Sequence, residues 1–212
     1  PFVLAAPLAL DLPAPPSPQT IERLVPGCVV VRGFLDVARQ RDVVAAVAGR
    51  AFAARAYDGG GALKCRTVCL GGQDWAHAKN EYAPTGGSVP AVLAAIARQA
   101  HAAAAAAADG ALPAFDAPDV VLCNFYEEAG RMGLHRDDAE SEAALARGSP
   151  VVSLSFGDEC VFALAPSRDS ERTRTTLRSG DALVFGGPSR LVYHGVERVK
   201  ACLLYTSDAA DE

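Results

Sequence analysis

The stretch from Asp119 to Asp137, DVVLCNFYEEAGRMGLHRD, decides how the rest of the chain is read. Val120 to Tyr126 is an apolar, β-branched run closed by a turn region with Gly130 and Gly133, and the stretch ends in His135-Arg136-Asp137. On an extended strand, side chains two apart project to the same side, so His135 and Asp137 are spaced as neighbouring ligands of one metal ion. Neutral imidazole plus ionised carboxylate suits a borderline divalent ion. One more distant histidine would complete the facial two-histidine, one-carboxylate set that leaves positions open on Fe(II). His194, which follows the apolar run Ala182 to Phe185, is the candidate. By the same alternation Asn124 and Tyr126 share one face.

A bare H-x-D occurs by chance at strand ends, so the ordered motifs around it carry the weight. These are N-x-Y-x-x-x-G-x-x-x-x-H-x-D over 124–137, Val-Val-Ser-Leu-Ser-Phe-Gly over 151–157, and Gly-Asp-Ala-Leu-Val-Phe-Gly-Gly-Pro-Ser-Arg-Leu-Val-Tyr-His-Gly over 180–195. In them the chain resembles the AlkB family of iron- and 2-oxoglutarate-dependent nucleic-acid demethylases. The resemblance implies that His135, Asp137 and His194 hold Fe(II) as the catalytic metal, and that Asn124 and Tyr126 contact 2-oxoglutarate. O2 is then the oxidant: 2-oxoglutarate is decarboxylated to succinate, the N-alkyl carbon is hydroxylated, and a hemiaminal loses the carbonyl fragment, formaldehyde for a methyl group.

The 212 residues, half of them apolar, are enough for one domain with a sizeable core. No apolar run reaches the length that crosses a bilayer, and Pro1-Phe2-Val3-Leu4 lacks the basic leader of a signal peptide, so no membrane partner is expected. The six cysteines lack the density and spacing of a disulfide scaffold, and Cys65-x-x-x-Cys69 has no second pair for a zinc site. They read as reduced thiols in a cytoplasmic or nuclear, intracellular protein, expected to be a monomer. The net charge is −5, unevenly spread. Residues 1–100 carry ten Lys/Arg against seven Asp/Glu, and residues 101–212 ten against eighteen. Nucleic-acid contact is therefore expected to favour the first half, through a few positioned phosphate contacts.

Taken in order, residues 1–20 form a proline-rich lead with no assigned chemistry. Val25 to Val31 is a turn feeding a buried strand, and Asp36 caps a helix to about Gly49. After a glycine loop at Tyr57 to Gly61, Leu63 to Leu70 is a strand, followed by Trp75 and Tyr82. Both aromatics fit ordinary apolar packing. They also suit the stacking of an unpaired base, and they match the aromatic pair of the family's nucleotide-recognition lid, here about 57–87. Lys64, Arg66 and Lys79 lie near them. Ser88-Val89-Pro90 opens a second helix that ends at Asp109-Gly110; His101 within it has no ligand partner at helical spacing. Val151 to Phe156 and Cys160 to Leu164, joined by Gly157-Asp158-Glu159, form a hairpin pattern, and strands follow at 177–186 and 190–196. Arg136 points away from the metal face by alternation.

This is an α+β pattern, mainly β: many short strands after two helices indicate a jelly roll with a helical flank, with its core over about 119–201. The resemblance names it the double-stranded β-helix, within a single dioxygenase domain over 21–201. Beyond Val199 the family pattern continues into R-x-N-x-T-x-R, and neither arginine is present. Residues 202–212, CLLYTSDAADE, resemble a translated sequencing adaptor and are read as a non-native tail. An arginine fork is the usual holder of a dicarboxylate's distal carboxylate, so the expectation is an assembled triad with weak 2-oxoglutarate binding. Arg190 matches another family position. The function expected is oxidative removal of N-alkyl groups from nucleobases in DNA or RNA. The rivals are the same fold acting on a protein or small molecule, and a non-catalytic nucleic-acid-binding relative.

Overall fold

The computed structural model describes residues 2–5, 19–56, 62–76, 79–127 and 130–200. The elements run β1 (Phe2–Ala5), β2 (Thr20–Val25), β3 (Cys28–Arg32), α1 (Val37–Val47), β4 (Ala53–Ala56), β5 (Ala62–Gly71), β6 (Gln73–Ala76), β7 (Glu81–Pro84), α2 (Ala91–Ala105), β8 (Val120–Tyr126), β9 (Met132–His135), α3 (Glu142–Ala146), β10 (Val151–Leu154), β11 (Glu159–Ala165), β12 (Thr173–Leu177), β13 (Ala182–Phe185) and β14 (Tyr193–Lys200). They form four-stranded sheets in the orders β1-β8-β5-β4, β10-β13-β3-β2 and β12-β11-β14-β9, with β6 and β7 as a separate hairpin. This is the expected mainly-β architecture with two flanking helices. The proline-rich stretch 11–18, His77 and the tail 202–212 lie outside the described residues.

Strand alternation builds two cores. Val29 and Val31 of β3, Ala182 and Val184 of β13, and Val121 and Cys123 of β8 pack on one side with α1 and α2. Their neighbours Val30, Leu183, Phe185 and Tyr126 turn the other way and meet Phe162, Leu164 and Leu177 across the barrel. Helix α2 covers its side with Leu93, Ile96, Ala97, Ala100 and Ala104, a three-four repeat. His101 joins that buried face: its Nε2 lies 2.9 Å from the Pro113 carbonyl oxygen and its ring stacks on Phe115. Asp36 caps α1 as its position implies, accepting from the Arg39 amide at 2.8 Å. Ser88 caps nothing, because α2 starts later, with Pro90 as its boundary residue and no side-chain cap.

The hairpin expected between residues 151–156 and 160–164 does not form. β10 pairs with β13, whereas β11 pairs with β12 and β14. Gly157, at φ +80°, turns the chain out of one sheet into the facing one. A short glycine turn serves either connection, and local sequence does not say which. No helix among the described residues is long and apolar enough to cross a membrane.

The turn into β13 is pinned to β3 by a buried carboxylate. Asp181 accepts from Arg32 Nη1 at 2.7 Å, from the Gly33 amide at 2.9 Å and from the Arg178 amide at 3.0 Å. Arg32 also reaches Glu22 on β2 and Thr175 on β12. Asp181→Ala leaves the guanidinium and two amides without this acceptor. It is expected to destabilise the fold by about 3 kcal/mol, read from the midpoint of urea unfolding, while Asp36→Ala costs about 1 kcal/mol.

Candidate active site

β9 and β14 are antiparallel neighbours, and their register sets His135 directly opposite His194. The two rings come within 4.4 Å, centre to centre. Asp137, two residues beyond His135, returns its carboxylate between them: Oδ1 is 3.6 Å from His135 Nε2, and Oδ2 is 3.6 Å from His194 Nε2. One ligand atom from each residue lies within 4.8 Å of the others. The expected three residues are thus brought together, two by period-two spacing and the third by cross-strand pairing.

Each ring is held from behind. His135 Nδ1 lies 2.9 Å from the Gly133 carbonyl oxygen, and His194 Nδ1 lies 3.1 Å from that of Val192. An Nδ1–H donating to a carbonyl fixes the tautomer that leaves Nε2 as a lone-pair donor. Burial pulls His194 below the ordinary imidazole range, against the opposing pull of Asp137. Burial also resists ionisation of Asp137, but the charges of His194 and His135 prevail and hold it below the ordinary carboxylate range. At neutral pH, His194 is neutral and Asp137 ionised, the forms that coordinate a metal. Phe162 and Phe185 pack their rings 5.9 and 4.9 Å from His194 and keep this side apolar.

The triad opens into a pocket of about 730 Å³. Asn124 and Tyr126 on β8 line it, Tyr126 with its hydroxyl 3.9 Å from Met132 Sδ. Trp75 and Tyr82 line it from the hairpin, where they are direct cross-strand partners and so share a face. Burial pushes the Tyr82 phenol far up, and the nearby carboxylates Glu140 and Asp137 add to the shift. Asn124 Oδ1, Asp137 Oδ2 and Ser153 Oγ are buried without a hydrogen-bond partner. Unsatisfied buried polar atoms cost about 1–3 kcal/mol each. Three converging on one pocket, beside a neutral imidazole and an ionised carboxylate, fit a metal ion and a polar co-ligand.

The site roles of three contributors were not read from the sequence. Ser153 faces the pocket because β10 alternates Val151 and Ser153 inward; a polar residue interrupting Val-Val-Ser-Leu was the available signal. Gly195 sits where the β9–β14 register shifts, and a Cβ there would lie 2.6 Å from the Met132 carbonyl oxygen and 2.9 Å from that of Gly133. Arg190, 3 % exposed, donates to the Asp137 carbonyl and pairs with Glu140 at 2.8 Å. It thereby grips the loop that carries the metal-site carboxylate, and no local pattern announces that contact. Of the three cations flagged near the aromatics, Lys64 lines the pocket, Arg66 pairs with Glu127 at 2.6 Å, and Lys79 pairs with Glu81 at 3.6 Å.

A jelly-roll barrel with two histidines and an aspartate meeting at one mouth is the architecture of an iron-dependent oxygenase. The model of the 2OG-Fe(II) oxygenase superfamily matches residues 27–207. The AlkB dioxygenase of Salmonella typhimurium is 32 % identical, with 91 % of this chain and 89 % of that protein aligned. The Arabidopsis thaliana protein named DNA N(6)-methyladenine demethylase ALKBH1D is 35 % identical over 82 % of this chain. The solved structure of OsALKBH1 superposes with a TM-score of 0.74 at 34 % identity, covering 85 % of this chain and 88 % of that one. The chain therefore belongs to the AlkB family of Fe(II)- and 2-oxoglutarate-dependent oxygenases. It spans less than half the length of the Arabidopsis relative, 43 %.

Gly195→Ala is expected to push β14 off β9 and displace His194. Calorimetric titration with Fe(II) without oxygen should show affinity reduced tenfold or more, in a protein that still unfolds cooperatively.

Proposed function

We propose that the protein is an Fe(II)- and 2-oxoglutarate-dependent dioxygenase that oxidatively removes N-alkyl groups from nucleobases in DNA or RNA. His135, Asp137 and His194 would hold the iron facially, and Asn124 and Tyr126 would contact 2-oxoglutarate, with Ser153 beside them. Bound iron with 2-oxoglutarate and O2 would supply the oxidising power for C–H hydroxylation. The protein's own work is orientation and exclusion of water: Phe162 and Phe185 wall the metal side, and Trp75 with Tyr82 offers flat faces for an unstacked base.

The observation that carries the reading is the Trp75–Tyr82 pair, facing the pocket that holds the triad. Two aromatic faces in register suit a planar unstacked base better than an aliphatic side chain or small molecule. The demethylases among the relatives support the same substrate class. Residues 21–201 are taken as the catalytic unit, with the β6–β7 hairpin in its substrate lid, acting as an intracellular monomer in the cytoplasm or nucleus.

The test incubates the chain with Fe(II), O2, 2-oxoglutarate in large excess to offset the weak binding expected without the family's arginines, and oligonucleotides carrying N6-methyladenine, 1-methyladenine or 3-methylcytosine, and measures formaldehyde. Release from at least one, abolished in His135→Ala and lowered about tenfold or more in Trp75→Ala with 2-oxoglutarate affinity unchanged, is the expected result. No release from any methylated oligonucleotide, with succinate formed on a methylated peptide instead, would overturn it.

A further inference from the structure

β6 and β7 pair with each other and with no other strand among the described residues. A two-stranded hairpin is marginal by itself in water, so its position over the pocket depends on what ties it down. The near end is tied to the body of the fold. The Gly72 amide donates to the Asp119 carbonyl oxygen at 3.2 Å, and the Thr85 amide joins the two legs by donating to the Gly72 carbonyl oxygen at 2.8 Å. Arg55 pairs with Asp74 at 3.3 Å, and the Trp75 amide donates to Cys69 Sγ at 3.4 Å. Gly71 and Gly86, at φ +120° and +74°, mark where the legs leave the body, in conformations that side chains rarely adopt. At the far end Asn80 Nδ2 donates to Asp138 Oδ1 at 2.9 Å, and both residues line the pocket of the triad.

Both partners of this bond are placed by their surroundings. Asn80 sits at φ +51°, in the left-handed region that asparagine tolerates better than most residues, so one residue type serves both the turn and the donor. Asp138 directly follows Asp137, whose carbonyl oxygen Arg190 grips. The far end of the hairpin is therefore bonded to the short loop that carries the metal-site carboxylate. Tyr82, on the second leg, lies close to the same loop, since the carboxylates of Glu140 and Asp137 act on its phenol. A bond from an amide to a carboxylate is charge-assisted, yet both groups here are exposed, so water competes for each and the bond opens and re-forms at small cost. A cover over a binding pocket needs that balance, closed when held and released without unfolding anything else.

We propose that Asn80 and Asp138 form a latch that holds the Trp75–Tyr82 hairpin over the pocket, acting as positioning residues for the aromatic pair. The proposal rests on the reading of that pair given above. Trp75 is the only tryptophan of the chain, so its fluorescence reports the hairpin directly. The test is acrylamide quenching of the full chain and three variants, without metal or nucleic acid. Asn80→Gly keeps the left-handed turn and removes the donor, Asp138→Ala removes the acceptor, and Asp138→Asn keeps an acceptor oxygen. Loss of one such bond lowers the ratio of closed to open hairpin about fivefold, and the quenching constant is expected to rise about twofold in Asn80→Gly and Asp138→Ala. Asp138→Asn should quench like the parent, and the urea midpoint should stay unchanged in all three. Asn80→Gly should also bind a methylated single-stranded oligonucleotide about threefold more weakly, with 2-oxoglutarate affinity unchanged. Parental quenching in both Asn80→Gly and Asp138→Ala would overturn the proposal, as would an equal rise in Asp138→Asn and Asp138→Ala, or a rise matched by a fall in the urea midpoint. Quenching is read without nucleic acid, so raised quenching with no binding of any methylated oligonucleotide would contradict the nucleic-acid reading and leave the latch standing.

Discussion

His135 and His194 face each other across β9 and β14, and the site depends on that one register. A slip of a single residue would send either imidazole to the opposite face. Much of the surrounding architecture fixes it. β11 pairs along the whole of β14, Gly195 lets the two backbones close to contact distance, and backbone carbonyls two residues before each histidine aim the rings. Asp137 then needs no long-range help to arrive, since it lies two residues from a histidine already in place. What it needs is restraint of its loop, and Arg190, three residues before β14, supplies that by donating to the Asp137 carbonyl oxygen.

The same residues explain why the pocket is poised for a ligand. Asp137 Oδ2, Asn124 Oδ1 and Ser153 Oγ are buried without hydrogen-bond partners, a destabilising arrangement in a protein whose net stability is expected to be only about 5–15 kcal/mol. The charge states of His194 and Asp137 are already those of metal ligands. Stability spent on an open, polar floor inside an apolar barrel is the signature of a binding site, and here the apolar walls, Phe162 and Phe185, stand directly beside it.

How far the sequence disclosed this depended on the range of each interaction. His135 with Asp137, Asn124 with Tyr126, and the cap at Asp36 are governed by spacing within one element, and all were legible. His194 was legible through its place in an ordered motif. Trp75 and Tyr82 could be singled out, but only the β6–β7 register shows that they share a face. The residues that escaped depend on which strands become neighbours. Gly157 looked like a hairpin turn because a tight turn is locally the same whether it returns within a sheet or crosses to another. Arg136, expected to point away from the metal face, instead lines the pocket with its guanidinium over the Tyr193 ring, because regular strand alternation ends with β9 at His135.

The central claim is that two imidazoles and one carboxylate from β9, its following loop and β14 share a metal ion. X-ray absorption of the Fe(II)-loaded chain at the iron edge, prepared without oxygen, tests it directly, because imidazole rings give a distinctive multiple-scattering pattern. The account predicts iron bound by nitrogen and oxygen alone, with two imidazoles per metal, falling to one in His194→Ala. Iron with no imidazole signal, or with sulfur from the buried cysteines, in a correctly folded protein would contradict it.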